Sequence, residues 1–153
     1  MKKVFLLCFV FTSLVLVYIT SSLAMEIEQL RIEPMDNHAG KHSIYRIHFS
    51  FTESLAATVQ WQIIFPEEFD LSGLKVVGSN NINGGFTLQV DGSELLIKRT
   101  GRGSNLEPGV LYEIGIANIK NAYVGDYFIS VNVLDANGLT LGDAKSATVT
   151  IIQ

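Results

Sequence analysis

The stretch from Leu106 to Ile116, LEPGVLYEIGI, constrains the fold more than any other part of the chain. Pro108-Gly109 is a strong turn signal, and the strand that follows it places Tyr112, Ile114 and Ile116 at every second position. A turn that leads directly into an alternating strand, with an aromatic hydroxyl near its start, is typical of a chain crossing between the two sheets of a β-sandwich. We therefore expect the other strands to pack around this corner.

Alternation of apolar and polar residues with a period of two runs through much of the remaining sequence. It is clearest at 45–51 and 127–133, and the dipeptides Asp91-Gly92 and Asn137-Gly138 are hairpin signals. The apolar phase changes between Ile27 and Leu30, which predicts a kink or bulge in the first strand. No helical period is apparent. The sequence predicts an all-β fold, an antiparallel β-sandwich of eight to ten short strands.

Trp61 is the only tryptophan, and the period of its strand places it on the same face as three other apolar residues, Val59, Ile63 and Phe65. This position predicts a large side chain that fills the centre of the core. The alternative, a platform on which a sugar ring stacks, requires that Trp61 be exposed.

The first 24 residues have the layout of a secretory signal peptide. A basic start at Lys2-Lys3 precedes an apolar run from Val4 to Ile19, and small residues lead up to Ala24. The alternative is a membrane anchor, because the apolar run approaches the ~18 residues that can span a bilayer. The signal peptide is favoured and leaves 25–153 as a single domain. It also predicts a secreted, cell-surface or periplasmic location.

Charge and cysteine content limit the partners of this domain. The full chain carries a net charge of −4, and removal of Lys2 and Lys3 leaves 9 basic residues against 15 acidic ones, a net charge of −6. An acidic surface repels phosphate backbones, so nucleic acid is excluded as a partner. Cys8, the only cysteine, leaves with the signal peptide, so stability is expected to come from packing without disulfides.

No residue pattern indicates catalysis or a cofactor. The sequence contains neither a G-x-S-x-G nor an H-E-x-x-H motif, so we expect no enzyme activity. His38, His42 and His48 are interpreted as solvated surface histidines rather than metal ligands. Asp135-x-Asn137-Gly138 begins like a calcium loop but lacks the later acidic ligand, and a hairpin turn explains it without an ion. No metal site is predicted.

Two clusters outside the predicted core are candidate surface features. Lys98, Arg99 and Arg102 lie in a glycine-containing stretch that we interpret as a mobile, solubilising loop. Four apolar residues fall on strand faces that should point to solvent, and several of them on one sheet would mark a protein interface: Ile64, Leu96, Phe128 and Leu134. The alternative is that a loop or the first strand covers them.

The pattern Leu106-x-Pro108-Gly109-x-x-Tyr112 resembles the tyrosine corner of fibronectin type III-like domains, in which the tyrosine hydroxyl bonds to upstream backbone. The stretches 55–57, 65–72 and 125–127 add a looser resemblance to immunoglobulin-like modules of bacterial surface proteins, over 42–134. The chain departs from the family in having a single copy and an extra hairpin and strand after Val133. The resemblance implies an immunoglobulin-like sandwich with a structural or adhesive role.

Three functions remain in competition after these observations. The first is an exported structural or protein-interaction module that associates with itself or another protein, through edge strands or an apolar sheet face. The second is a carbohydrate-binding module, for which Tyr123 is the aromatic residue in a clear loop. The third, an enzyme with an unrecognised pair of acids, ranks last.

Overall fold

The computed structural model describes residues 24–153, which form two antiparallel sheets packed face to face. The signal peptide predicted at 1–24 lies outside the described residues except for Ala24, and it stays a prediction. Within 24–153 no helix is long and apolar enough to cross a membrane. The described residues contain nine strands, within the predicted range of eight to ten: β1 Ile27–Pro34, β2 His42–Phe51, β3 Gln60–Ile64, β4 Val76–Gly78, β5 Phe86–Asp91, β6 Glu94–Arg99, β7 Tyr112–Lys120, β8 Gly125–Leu134 and β9 Lys145–Ile151.

The four-stranded sheet has the order β1-β2-β7-β4, and the five-stranded sheet has the order β5-β6-β3-β8-β9. The strands β2, β6, β7 and β8 bury alternate residues over much of their length, as the period of two predicts, and the inner faces of the two sheets meet in one core. The register of β1 against β2 shifts between Ile27 and Gln29, which confirms the predicted irregularity in the first strand. The predicted all-β sandwich is confirmed.

A second irregularity, which the apolar pattern does not predict, lies in β7. The register of β2 against β7 shifts between Ser43 and Ile44, and Asn118 on β7 has a positive φ of 71°. The Asn118 side chain donates from Nδ2 to the Gly73 carbonyl at 2.5 Å. This bulge lets Ile116 and Ile119, three positions apart, both point into the core.

Candidate functional site

The predicted corner joins the two sheets through several backbone contacts. Tyr112 begins β7 and is buried, and its hydroxyl accepts a hydrogen bond from the Glu107 N–H at 2.8 Å. Leu106 is also buried and exchanges two backbone hydrogen bonds with Leu55. Gly109 takes a φ of +70° in the turn after Pro108, a conformation that favours glycine. These contacts give the corner a structural role.

Trp61 is fully buried at the centre of the core. Its ring lies 5.5 Å from that of Phe49, on the facing sheet, and 6.3 Å from that of Phe86. The indole Nε1 is buried and has no hydrogen-bond partner among the described residues. Because no face of the ring reaches solvent, Trp61 offers no platform for a sugar.

Three of the four apolar residues predicted to face outward do so, on the five-stranded sheet. Phe128 is 68% exposed and Ile64 39% exposed, while Leu96 is half-buried. The strand registers make Leu96 and Phe128 diagonal neighbours of Ile64, on opposite sides of it. These residues form a diagonal across the sheet and not a compact patch.

The prediction for Leu134 is wrong, because its side chain is buried. The chain after β8 turns back over this face, so that Thr140 forms a bridge with Leu134. Gln60, which is opposite Leu134 on β3, donates from Nε2 to the carbonyls of Asp135 and Ala136 at 2.9 and 3.0 Å. The turn thus covers the residue that strand alternation alone places in solvent.

Side-chain hydrogen bonds cross the same outer face and separate the apolar residues of the diagonal. Gln62 donates to Glu94 at 2.8 Å, and Asn132 donates to Gln62 at 2.8 Å. Glu94, Gln62 and Asn132 thus link β6, β3 and β8 through side chains that bond to each other. The outer face of the five-stranded sheet is therefore largely a polar surface, with Phe128 as its most exposed apolar residue.

The interpretation of Arg99 as part of a solubilising loop is also wrong. Arg99 is the last residue of β6 and is buried, and its guanidinium donates to the carbonyls of Ala56, Asn83 and Ser104 at 3.1, 3.3 and 2.6 Å. Burial lowers the pKa of Arg99, with Tyr112 acting in the opposite direction. The guanidinium still stays charged at neutral pH. Arg99 thus ties together three loops that are far apart in the sequence.

His48 is not a solvated histidine as predicted. Its side chain is only 12% exposed and lies between Glu33 and Glu113, with nitrogen–oxygen distances of 3.8 and 3.7 Å. Among residues 24–153 no three or more His, Cys, Asp or Glu side chains are grouped so as to hold a metal ion.

The carboxylate of Asp135 accepts hydrogen bonds from the backbone N–H groups of Leu139 and Asn137, at 2.9 and 2.8 Å. These bonds, the one from Leu139 foremost, lower the pKa of Asp135. They close the turn at Asn137-Gly138, so the carboxylate is engaged within the hairpin.

The outer face of the four-stranded sheet carries an arrangement that the sequence reasoning missed. Met35, Ile44, Ala117 and Val76 lie side by side across the sheet as a row of apolar residues, and three of them are more than 40% exposed. In the next row the two positions on β7 and β4 are glycines, Gly115 and Gly78, which pair with each other. We call these six residues the flat face.

Charged side chains border the glycine part of the flat face on the β1–β2 side. Arg46 and Glu33 continue the glycine row, and the row beyond it contains Arg31, His48 and Glu113. Arg31 and Glu33 form an exposed ion pair at 3.0 Å. Both signs of charge therefore stand beside a strip of backbone that no side chain covers.

Tyr123 lies in the connection between β7 and β8 and is 80% exposed. The hydroxyl of Tyr127 donates to the Tyr123 carbonyl at 3.1 Å, which holds this connection in place. Beside Tyr123 is a cleft of about 210 Å³ that is also lined by Glu68, Asp70 and Lys120. The predicted glycan-contact residue is thus an exposed ring next to charged groups.

Comparisons with known proteins found solved structures of similar architecture but no relative in sequence. No protein-family model matches the sequence, and no curated protein matches it. Among solved structures, the fold is similar to a cohesin module from a Clostridium perfringens family 33 glycoside hydrolase, with a TM-score of 0.56 and 13% identity over 80% of this chain and 93% of that one.

Two further solved structures have a similar fold. BslA, described as a bacterial hydrophobin, gives a TM-score of 0.50 and 10% identity over 84% of this chain and 98% of that one. The major pilin SpaD from Corynebacterium diphtheriae gives a TM-score of 0.50 and 11% identity over 82% of this chain and 35% of that one. At such identities the likeness establishes the fold and not the activity. It confirms the predicted resemblance to immunoglobulin-like β-sandwich modules of bacterial surface proteins.

Proposed function

We propose that the protein is a non-enzymatic protein-interaction module of the cell surface or extracellular matrix, and that it associates with a second copy of itself through the flat face. The predicted signal peptide supports export. The structural neighbours named above, a cohesin module and a pilin among them, support a binding or structural role. The observation that carries the proposal is the pair of glycines that leaves backbone bare on the flat face.

Neither glycine is required by the backbone of the sheet. Gly115 and Gly78 do not have the positive φ that favours glycine. A Cβ atom added at Gly78 would meet no atom within 4 Å, and one added at Gly115 would lie 3.8 Å from the nearest atom. Glycine weakens a strand interior, and β-branched residues would fit here. A glycine pair that costs stability and leaves backbone bare is suited to close approach by another molecule.

The composition of the flat face favours a second copy as that molecule. The apolar row of Met35, Ile44, Ala117 and Val76 stands beside Arg46 and Glu33. In a two-fold pairing the same patch faces itself, so basic residues of one copy can meet acidic residues of the other. The whole outer face of the four-stranded sheet, about 19 Å across its strands and about 33 Å along β2, has an area of about 600 Å² per copy, at the lower end of standard interfaces. We therefore expect a dimer that dissociates on dilution.

The experiment compares the solution mass of residues 25–153, which hold all nine described strands, with that of Gly115→Thr. Light scattering across a concentration series should show the wild type shifting from monomer to dimer and the variant remaining monomeric. The variant should melt at the same temperature as the wild-type monomer or higher, because threonine favours strands. Loss of folding in Gly115→Thr would contradict the inference that a side chain can be added at position 115 without a clash.

The matched control is Phe128→Asn on the outer face of the other sheet, which should leave the dimer intact. If Phe128→Asn abolishes association while Gly115→Thr does not, the interface is the diagonal of Leu96, Ile64 and Phe128. A wild-type monomer at millimolar concentration would overturn self-association.

Carbohydrate binding is the second candidate function, and the exposure of Tyr123 favours it. An exposed aromatic ring beside carboxylate and ammonium groups can stack on a sugar while the charged groups bond its hydroxyls. Glycan-array binding that is lost in Tyr123→Ala, and kept in Gly115→Thr, would support this role. Absence of binding to any glycan on the array would remove it.

A further inference from the structure

The sheet edges of the sandwich differ in how well they are covered. On the β1–β9 side, Lys145 donates from Nζ to the carbonyls of Ile27 and Glu28 at 2.6 and 2.7 Å. The loop before β2 covers the end of β9, where the Ile152 N–H donates to the Asn37 carbonyl at 2.9 Å. A lysine and a crossing loop are the devices by which native proteins prevent an edge strand from pairing with another chain.

The other side of the sandwich has no such cover over its longer strand. β4 has only three residues, whereas β5 has six, and β5 pairs on one side only, with β6. Within residues 24–153, no hydrogen bond from a loop or a side chain reaches the backbone of Phe86–Asp91. The strand contains neither lysine, arginine nor proline. Its outer row of N–H and C=O groups is available to another strand.

A cleft lies beside this open edge. It has a volume of about 750 Å³ and runs between the end of β5 and the connection that follows β3. Val90, which is 39% exposed, forms an apolar part of its wall, and Leu71 lines the opposite side. An extended segment that paired with β5 could place alternate side chains against Val90.

The acidic side chains around the cleft favour a positively charged occupant. Glu67, Asp70 and Asp91 line it, and its lining contains no lysine or arginine. Hydrogen bonds from Ser72 lower the pKa of Asp70, with smaller effects from Lys120 and His42, so this carboxyl is ionised at neutral pH. The chain itself carries a net negative charge, which disfavours a second copy at this site.

We propose that β5 binds an extended basic peptide of a partner protein by strand addition, with lysine or arginine side chains directed to Glu67, Asp70 and Asp91. The peptide extends the five-stranded sheet by one antiparallel or parallel strand. Backbone hydrogen bonds to β5 supply the docking geometry, and the carboxylates select for positive charge. This surface is separate from the flat face, so the two proposals stand or fall independently.

The test uses an eight-residue peptide of alternating lysine and valine as the probe, added to residues 25–153. Titration calorimetry should detect binding, and amide resonances of Thr87, Gln89 and Asp91 should shift while those of β1 and β9 do not. The double variant Glu67→Gln/Asp91→Asn should weaken binding about tenfold at low salt, since two charge contacts near a surface are lost. Glu53→Gln, which removes one exposed charge elsewhere, should bind the probe as the wild type does.

Two further peptides separate strand addition from simple attraction of charge. A peptide of alternating glutamate and valine should not bind. The lysine–valine peptide with alternate backbone amides methylated keeps its charge but cannot form the ladder, and it should not bind either. If the methylated peptide binds as tightly as the probe, strand addition is refuted. Failure of the unmodified probe to bind, or resonance shifts that avoid β5, would overturn the proposal as a whole.

Discussion

Replacement of Arg99 by methionine should destabilise the domain far more than the same change at its neighbour Lys98. Both residues are basic and adjacent in β6, but Arg99 is buried whereas Lys98 lies on the outer face of the sheet. Arg99 gives hydrogen bonds to three loop carbonyls. Methionine preserves much of the side-chain volume at either position and removes the donors.

The size of the effect follows from those three bonds. A hydrogen bond from a charged donor contributes about 1.5–3 kcal/mol, and a buried carbonyl left without a partner is costly. The guanidinium is buried without a carboxylate among its hydrogen-bond partners, so its removal recovers part of its desolvation cost. We expect a net loss of about 2–4 kcal/mol for Arg99→Met, or about 7–15 °C in Tm for a domain of ~130 residues. Lys98→Met should stay within about 0.5 kcal/mol of the wild type.

Urea unfolding followed by Trp61 fluorescence measures both variants, and amide hydrogen exchange locates the change. Exchange should quicken in the loops that contain Ala56, Asn83 and Ser104 in Arg99→Met only. Arg99→Lys keeps the charge but loses the planar fork, and it should fall between the other two. If Arg99→Met and Lys98→Met lower stability equally, the three-loop contact does not stabilise the domain and the reasoning is refuted.

Three further predictions concern single groups. Tyr112→Phe removes the acceptor for the Glu107 N–H and should cost about 1 kcal/mol in urea unfolding; an unchanged midpoint would show that water replaces the hydroxyl. Burial raises the pKa of Tyr45, so the phenol loses its proton at a lower pH in the unfolded chain than in the folded one. The free energy of unfolding should therefore fall as pH rises above about 10, by at most ~1.4 kcal/mol per pH unit. That alkaline loss should shrink in Tyr45→Phe, and a slope identical to the wild type would contradict it. Leu134→Asn should lower the free energy of unfolding by about 2–3 kcal/mol and Phe128→Asn by less than ~0.5 kcal/mol, because only Leu134 is buried. Equal losses in thermal unfolding would contradict the burial of Leu134.

The strands were predictable wherever one face of a strand is buried along its length. At 45–51 and 127–133 the alternation of apolar residues correctly predicts both the position of the strand and the face that packs in the core. Leu134 fails this rule because the turn that follows it returns over the outer face. Strand alternation describes the two faces of a sheet and contains no information about what a later segment covers.

Other features depend on contacts between distant parts of the chain. Arg99 looks like a loop residue because it is followed by Thr100-Gly101, and only the fold brings three carbonyls around it. The flat face was missed because glycine inside a strand gives no apolar signal, and Gly115 and Gly78 become neighbours only when β4 pairs with β7. The single signal in the sequence was the glycine within the otherwise clean alternation after Tyr112.

The edge of β1 stays uncovered during synthesis until Lys145 has been made. Lys145 lies 118 residues after Ile27, whose carbonyl it contacts. The β1–β2 hairpin is complete at Phe51, so at synthesis rates of about 5–20 residues per second it exists for roughly 5–19 s before residue 145 is made. During that interval the edge of β1 can pair with a neighbouring chain. A chain that stops before residue 145 keeps this hairpin but lacks the lysine that covers the edge of β1. C-terminal truncation should therefore lead to aggregation and not merely to a less stable monomer.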